Sequence, residues 1–280
     1  MKADLHLHTT ASDGEWTPEA VVCFLASMDY DLIAITDHDT IKGIEPAMQA
    51  AGRLNGSMRV LPGVELSAGG EAEVHLLAYG IPPSHPKLAD FLDGQRAKRR
   101  ARILEMLERL SKMGKPLELS LPEDLEESAG RPHIARALVR EGYVADVREA
   151  FERFLAQGKP AYVPRETPPV AEAIECLRAC GGVVCLAHPG QLTMGWEGLM
   201  HCLPAWKAAG LQGLEAHHSA HSADTAMRLD RLARQKDLLV TGGSDFHGLD
   251  TKRVRPGDGL AQWIRMKTDV EALLALMPPF

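Results

Sequence analysis

The stretch "ADLHLHTTASDG", residues 3–14, decides the reading of this chain. A strand through it would place Asp4, His6 and His8 on one face and Leu5 and Leu7 on the other, because strand side chains alternate. Asp and His make a poor core face unless something pairs with them. The two imidazoles therefore point together at a shared target, and Asp13 follows in the turn.

Six further β-like runs lie beyond it: "DLIAITDHD" (31–39), "RVLPGVELSA" (59–68), "AEVHLLAYGI" (72–81), "GGVVCLAHP" (181–189), "GLEAHH" (213–218) and "LLVTGGSD" (238–245). Amphipathic stretches alternate with them at 18–29, 45–55, 169–180, 197–209 and 222–236. The first is expected to start on Thr17 as N-cap, with Pro18 at the first helical position. Strand then helix, repeated, predicts an α/β fold of parallel strands with right-handed crossovers. Seven strands suit a closed or nearly closed barrel. Residues 82–168 break the rhythm: "IPPSHP", a long helical run at about 87–113, "SLPEDL", helices near 132–141 and 146–157, then "YVPRETPP". The expected organisation is a barrel domain of 1–81 and 169–280 carrying a helical insert, 82–168, that caps its mouth.

The chain has 280 residues, 45% hydrophobic and 25% charged, enough for a sizeable core. A net charge of −7 speaks against coating long nucleic acid, while leaving room for a small anionic substrate. No apolar run reaches the length of a membrane span, and "MKADLHLH" has no apolar stretch of the signal-peptide kind. The cysteines, Cys23, Cys176, Cys180, Cys185 and Cys202, are odd in number with no C-x2-C pair, and read as reduced thiols of a cytoplasmic protein.

Marking polar residues at the strand ends gives His6 and His8, then Asp13, Asp37 and His38, Glu65, His75, His188, and finally Asp245 and His247. In α/β barrels that rim is where sites are built. Packed together without cations, these groups would suffer desolvation and repulsion. A polynuclear metal site resolves this, and mixed imidazole and carboxylate donors suit Zn, Mn or Fe better than Ca or Mg. A single H-x-H is weak; the pattern across every strand end is strong.

The motifs "DLHLHTTASDG", "AITDHDT", "GVELS", "VHLLAYG", "LAHPG" and "GSDFHG" resemble the PHP family, the polymerase-and-histidinol-phosphatase metal phosphoesterases, along the whole chain. The resemblance implies a distorted seven-stranded barrel with three divalent metals. One would take His6, His8, Glu65 and Asp245; a second would share Glu65 and add His75 and His188; the third would take Asp13, His38 and His247. Asp37 is expected to orient a neighbouring histidine. The insert, with "GRPHIARALVREGYV" and "QGKPAYVPR", looks like the branch acting on nucleotides and short RNA. That branch often has a Tyr where this chain has His217.

The expected reaction is hydrolysis of a phosphate monoester by a hydroxide bridging two metals. The favoured substrate is the 3'-phosphate of a nucleoside 3',5'-bisphosphate; 5'–3' cleavage of short RNA and AMP hydrolysis are the alternatives. Arg131 and His133 in "GRPH" are candidate catalytic and phosphate-contacting groups, although "GRPH" would also suit a plain helix start. Lys159 is a further candidate cation, and His218 and His221 candidate substrate contacts, His221 also catalytic. "RAKRRAR" (96–102) reads first as a solvated helix and second as a phosphate-backbone patch. A non-catalytic metal-stabilised module would have lost ligands, and a C–N hydrolase would want a strand-end Lys; neither matches this chain.

Overall fold

The computed structural model describes residues 1–54, 58–69, 72–117, 130–248, 256 and 267–277. "SLPEDL" lies outside the described residues. The chain divides into two compact units, Met1–Asp90 with Pro168–Phe280, and Phe91–Thr167.

The first unit is built on one seven-stranded sheet whose spatial order follows the sequence: β1 (Ala3–Leu7), β2 (Leu32–Ile35), β3 (Arg59–Ala68), β4 (Val74–Tyr79), β5 (Val183–Leu186), β6 (Gly213–His218) and β7 (Leu239–Gly243). The ends meet: Leu7 bridges Phe246, the His8 N–H donates to the Phe246 carbonyl at 3.0 Å, and the Asp245 N–H donates to the His6 carbonyl at 2.9 Å. The sheet is thus a nearly closed, distorted barrel. Leu5, Ile33, Leu66, Leu76 and Leu186 are fully buried on its strands. Helices fill the crossovers: α1 (Pro18–Ser27), α2 (Ile44–Gly52), α6 (Val170–Ala179), α7 (Gly195–Ala208) and α8 (Ala223–Gln235), with α9 (Lys267–Ala275) after the last strand. The Thr17 side chain accepts the Ala20 N–H and Pro18 opens α1, as expected.

The expectation of uniformly parallel strands fails at β4, which runs antiparallel to both β3 and β5. Only residues 69–73 separate β3 from β4, and a parallel crossover needs a dozen or more. Gly69 and Glu73 both take positive φ in that reversal. The reversal matters for the site. His75 sits near the start of β4, and the opposite direction of that strand brings it to the rim where the other strands end.

The sequence reading did not pick out α9. The guanidinium of Arg234 on α8 holds it through the Asp269 carboxylate at 3.1 Å.

The second unit has its own core, including Ile103, Met106, Leu110, Ile134, Leu138, Phe154 and Leu155. It is formed by α3 (Pro86–Lys112), whose first turn lies in the other unit's sequence, α4 (Arg131–Arg140) and α5 (Val147–Ala150). The helix expected over 146–157 widens after Ala150 into a π-helical turn, Phe151–Leu155, in which the Ala156 N–H reaches back to the Phe151 carbonyl.

Among the described residues no helix is long and apolar enough to cross a membrane. All five cysteines are free.

Candidate metal centre

Glu65, on β3, is the hub. Its Oε1 lies 2.9 Å from His75 Nδ1 and 3.0 Å from His188 Nε2. Its Oε2 lies 3.3 Å from His6 Nε2, 3.2 Å from His8 Nε2 and 2.9 Å from His38 Nδ1. Asp245 Oδ1 faces the same two β1 imidazoles, 3.6 Å from His6 and 3.2 Å from His8. Asp13 Oδ1 lies 3.2 Å from His247 Nε2, and its Oδ2 4.0 Å from His38. All nine expected donors therefore converge in one basin. Among the described residues four sets have donor atoms mutually close enough for a common ion: His8, Asp13, His38 and His247; His6, His8 and Asp245; His38, Glu65 and His75; and His6, Glu215 and His218.

The local folding explains the convergence. His6 and His8 alternate inward from β1. The same argument does not hold for "DFH": β7 ends at Gly243, and Asp245 adopts left-handed backbone with φ of +57°. The Leu7–Phe246 bridge then turns both Asp245 and His247 inward. His188, just past β5, is also left-handed, with φ of +29°. Non-glycine residues in that region cost about 1–3 kcal/mol and cluster at functional sites.

Several ring tautomers are set by second partners. His247 Nδ1 donates to the Asp245 carbonyl at 2.9 Å, leaving Nε2 for the basin. His6 Nδ1 pairs with Glu215 at 3.0 Å, leaving Nε2. The Ala220 N–H donates to His218 Nδ1 at 3.0 Å, so that His218 carries its proton on Nε2, 3.6 Å from Asp245 Oδ2.

Burial pushes the Glu65 carboxyl up, but the His38, His75 and His6 imidazoles outweigh it and hold it well below the usual carboxylate range. Asp245 and Asp13 are also raised by burial and lowered further by imidazoles, His247 foremost in each case. Burial presses His6 down, yet Glu215, Glu65 and Asp245 carry it well above its ordinary value. His188 is raised in the same contest, chiefly by Glu65. At His75 burial wins, lowering it to about 4.

Divalent ions fit this donor set. His6 Nε2, His8 Nε2, His38 Nδ1 and Glu65 Oε2 are buried, face one another and make no hydrogen bond. Buried polar atoms are normally satisfied, and nitrogen–oxygen donors in this ratio suit a transition-type cation. Access is one-sided. The His6, His8 and Glu65 side chains are 0–1% exposed, whereas Asp13, His75 and His38 are 23%, 19% and 16% exposed.

Other expectations fared differently. Asp37 does not orient a histidine directly: its oxygens accept from the Thr9 N–H (2.7 Å), Thr9 Oγ1 (2.8 Å) and Ser12 Oγ (2.6 Å), bracing the turn that carries Asp13. His221 has both nitrogens engaged, Nδ1 donating to the Ala216 carbonyl at 2.8 Å and Nε2 accepting the Gly190 N–H at 3.1 Å. It latches the loop after His188 rather than offering a proton to substrate. In the second unit, His133 Nδ1 accepts the Gly130 N–H at 3.1 Å at the start of α4, and the Arg131 guanidinium packs over the Phe151 and Tyr162 rings. Lys159 is exposed in a turn. Within "RAKRRAR", Arg96 pairs with Asp93, and Arg102 Nε donates to the Val163 carbonyl at 2.7 Å.

Glu215 is the functional residue the sequence reading missed. An acid on the β6 run "GLEAHH" was the available signal, but alternation would put Glu215 and His217 on the same face. A bulge between them breaks it. Glu215 and His218 turn inward, while His217 turns to Asp230 of α8, 3.5 Å away.

A barrel whose rim gathers imidazoles and carboxylates into one basin is built to hold divalent cations. The comparisons agree. The PHP domain profile matches residues 4–157, more than half of the chain. The 5'-3' exoribonuclease Rnm of Escherichia coli is 36% identical over 247 residues, 87% of this chain and 84% of that protein. The 3',5'-nucleoside bisphosphate phosphatase of Chromobacterium violaceum is 35% identical over 267 residues, 91% of this chain and 88% of that protein. A crystal structure described as a putative metal-dependent phosphoesterase from Bifidobacterium adolescentis superposes with a TM-score of 0.83 at 31% identity, covering 99% of this chain and 97% of that one. The chain belongs to the PHP family.

Proposed function

We propose that the chain removes the 3'-phosphate from nucleoside 3',5'-bisphosphates. The observation that carries the reading is the Glu65 carboxylate, whose two oxygens serve two different sets of imidazoles. That arrangement suits a carboxylate shared between ions, and shared ions suit a phosphoryl group. We assign three divalent cations, Mn, Zn or Fe, to the centre: one with His6, His8, Glu65 and Asp245, one with Glu65, His75 and His188, one with Asp13, His38 and His247. When bound, such ions neutralise phosphoryl oxygens and acidify water.

The chain's own groups divide the remaining work. His218 holds a proton on Nε2, aimed into the basin beside Asp245, and is our donor to a phosphoryl or leaving oxygen. The half-exposed side, Asp13, His38 and His75, receives the substrate. Arg131, His133 and Lys159 remain candidate phosphate contacts on sequence grounds. The nucleotide assignment is supported by the 35% identity to the Chromobacterium violaceum phosphatase. A second reading, 5'–3' cleavage of short RNA, is supported by the 36% identity to the Escherichia coli exoribonuclease; AMP hydrolysis is a lesser variant. Five unpaired cysteines favour a reducing compartment, and we place the chain in the cytoplasm.

A product assay with Mn supplied tests this on a 3',5'-bisphosphate, AMP, a 5'-phosphorylated short RNA and histidinol phosphate. The bisphosphate should turn over fastest, yielding inorganic phosphate and a 5'-nucleotide. Faster release of mononucleotides from the RNA, falling steeply with salt, would transfer the assignment to the exonuclease. No turnover on any phosphate ester would overturn the proposal.

A further inference from the structure

Glu215 is fully buried on β6 and its two oxygens have separate tasks. Oε1 pairs with His6 Nδ1 at 3.0 Å, and Oε2 accepts the His188 backbone N–H at 2.7 Å. We propose that Glu215 is a positioning residue of the metal centre, fixing which nitrogen His6 presents and anchoring the left-handed backbone that carries His188. The proposal rests on the reading of the basin as a metal centre.

The argument starts from the imidazole. A neutral ring can present either nitrogen to a cation, and the hydrogen bond made by the other decides which. His6 is sealed from water, so its second partner must come from the protein. A carboxylate at Nδ1 demands a proton there, so that in the metal-bound form Nε2, which lies 3.3 and 3.6 Å from Glu65 and Asp245, is the nitrogen free to bind the cation. The β7 backbone packs directly against the His6 backbone. The neighbouring strand has Gly243 opposite His6, where an added Cβ would come within 2.1 Å of His6 Cβ.

His188 needs the second oxygen for a different reason. Its backbone is left-handed, a conformation a non-glycine residue keeps only when its surroundings hold it. Its N–H donates to Glu215. One side chain thereby ties together ligands from the first and fifth strands, reaching them from the sixth. The bulge after Glu215 makes this possible while His218 also stays inward.

Glu215→Gln tests the idea sharply, because one amide oxygen cannot accept from both His6 and His188. Cobalt or zinc titrations of the full chain should show one class of ion bound about 10–100-fold more weakly, the usual effect of losing such a partner. Circular dichroism melts of the metal-free proteins report whether the variant folds. In a double-mutant cycle with His6→Ala, the combined loss of affinity should be smaller than the product of the single losses. Equal affinity in Glu215→Gln and wild type, or strictly multiplicative losses, would overturn the proposal while leaving the metal centre intact. Wild-type protein that binds no divalent ion would bring down both. Should Glu215→Gln not fold, zinc-loaded wild type labelled with 15N-histidine still decides. His6, assigned with a His6→Ala spectrum, must show a protonated Nδ1 and a metal-bound Nε2, and the opposite tautomer sinks the inference.

Discussion

Replacing Glu65 by Gln keeps the side chain's shape and removes its charge. Five imidazole nitrogens lie 2.9–3.3 Å from the two carboxylate oxygens, so any ion held by those donors sits close to that charge. A unit pair 4 Å apart in an effective dielectric of about 20 interacts by ~4 kcal/mol. A divalent ion doubles the charge, so ~4 kcal/mol is a lower bound, equivalent to ~1,000-fold in affinity. The amide also cannot be shared between two cations as a carboxylate can. Glu65→Gln should therefore lose metal on dialysis, measured by elemental analysis, and phosphate release at limiting Mn should fall by a similar factor. Excess Mn should restore it only in part. Undiminished metal content together with undiminished turnover would refute the role of Glu65 as the hub.

Four further outcomes follow from the same site. The metal-free protein keeps His6 and His188 protonated above the usual imidazole range, so divalent binding near pH 7 should release protons and weaken as pH falls; calorimetric heats independent of the buffer's ionisation enthalpy would contradict this. In that metal-free form, His6 and His188 contribute stability fully below about pH 6.5 that is lost as pH rises through their raised values. Glu65, Asp13 and Asp245 contribute stability above about pH 4 that is lost as pH falls through their lowered values, so the melting temperature should peak in mild acid. Asp37→Ala removes three charge-assisted hydrogen bonds to the Asp13 turn and should cost ~4 kcal/mol in urea denaturation. His221→Ala should lower stability by ~1–2 kcal/mol while leaving kcat close to wild type, since its two bonds are to backbone; a large loss of kcat at unchanged stability would return it to the reaction.

The seven strands and the gathering of the nine His, Asp and Glu side chains in one basin were legible because each rests on local pattern: alternation in "HLH", an acid in "GVELS", a cap at Thr17. What escaped depended on distant partners. The direction of β4 is set by the short 69–73 link and by its place between β3 and β5. The left-handed turn at Asp245 comes from pairing of the next residue with Leu7. Glu215 was hidden by a bulge, because a period-2 reading has no way to mark the extra residue. His221 and His133 looked reactive as isolated letters, yet both nitrogens of His221 and Nδ1 of His133 are engaged by backbone groups.

The exposure gradient across the basin also governs traffic. Tyr79 is fully buried inside the barrel, donating its hydroxyl to the Leu5 carbonyl at 3.0 Å. On the proposed function, Asp13, His38 and His75 form the doorway for both substrate and product, so a cleaved anion would block the next arrival until it departs. Turnover should then slow as inorganic phosphate accumulates, and the doorway residues govern how fast the queue clears.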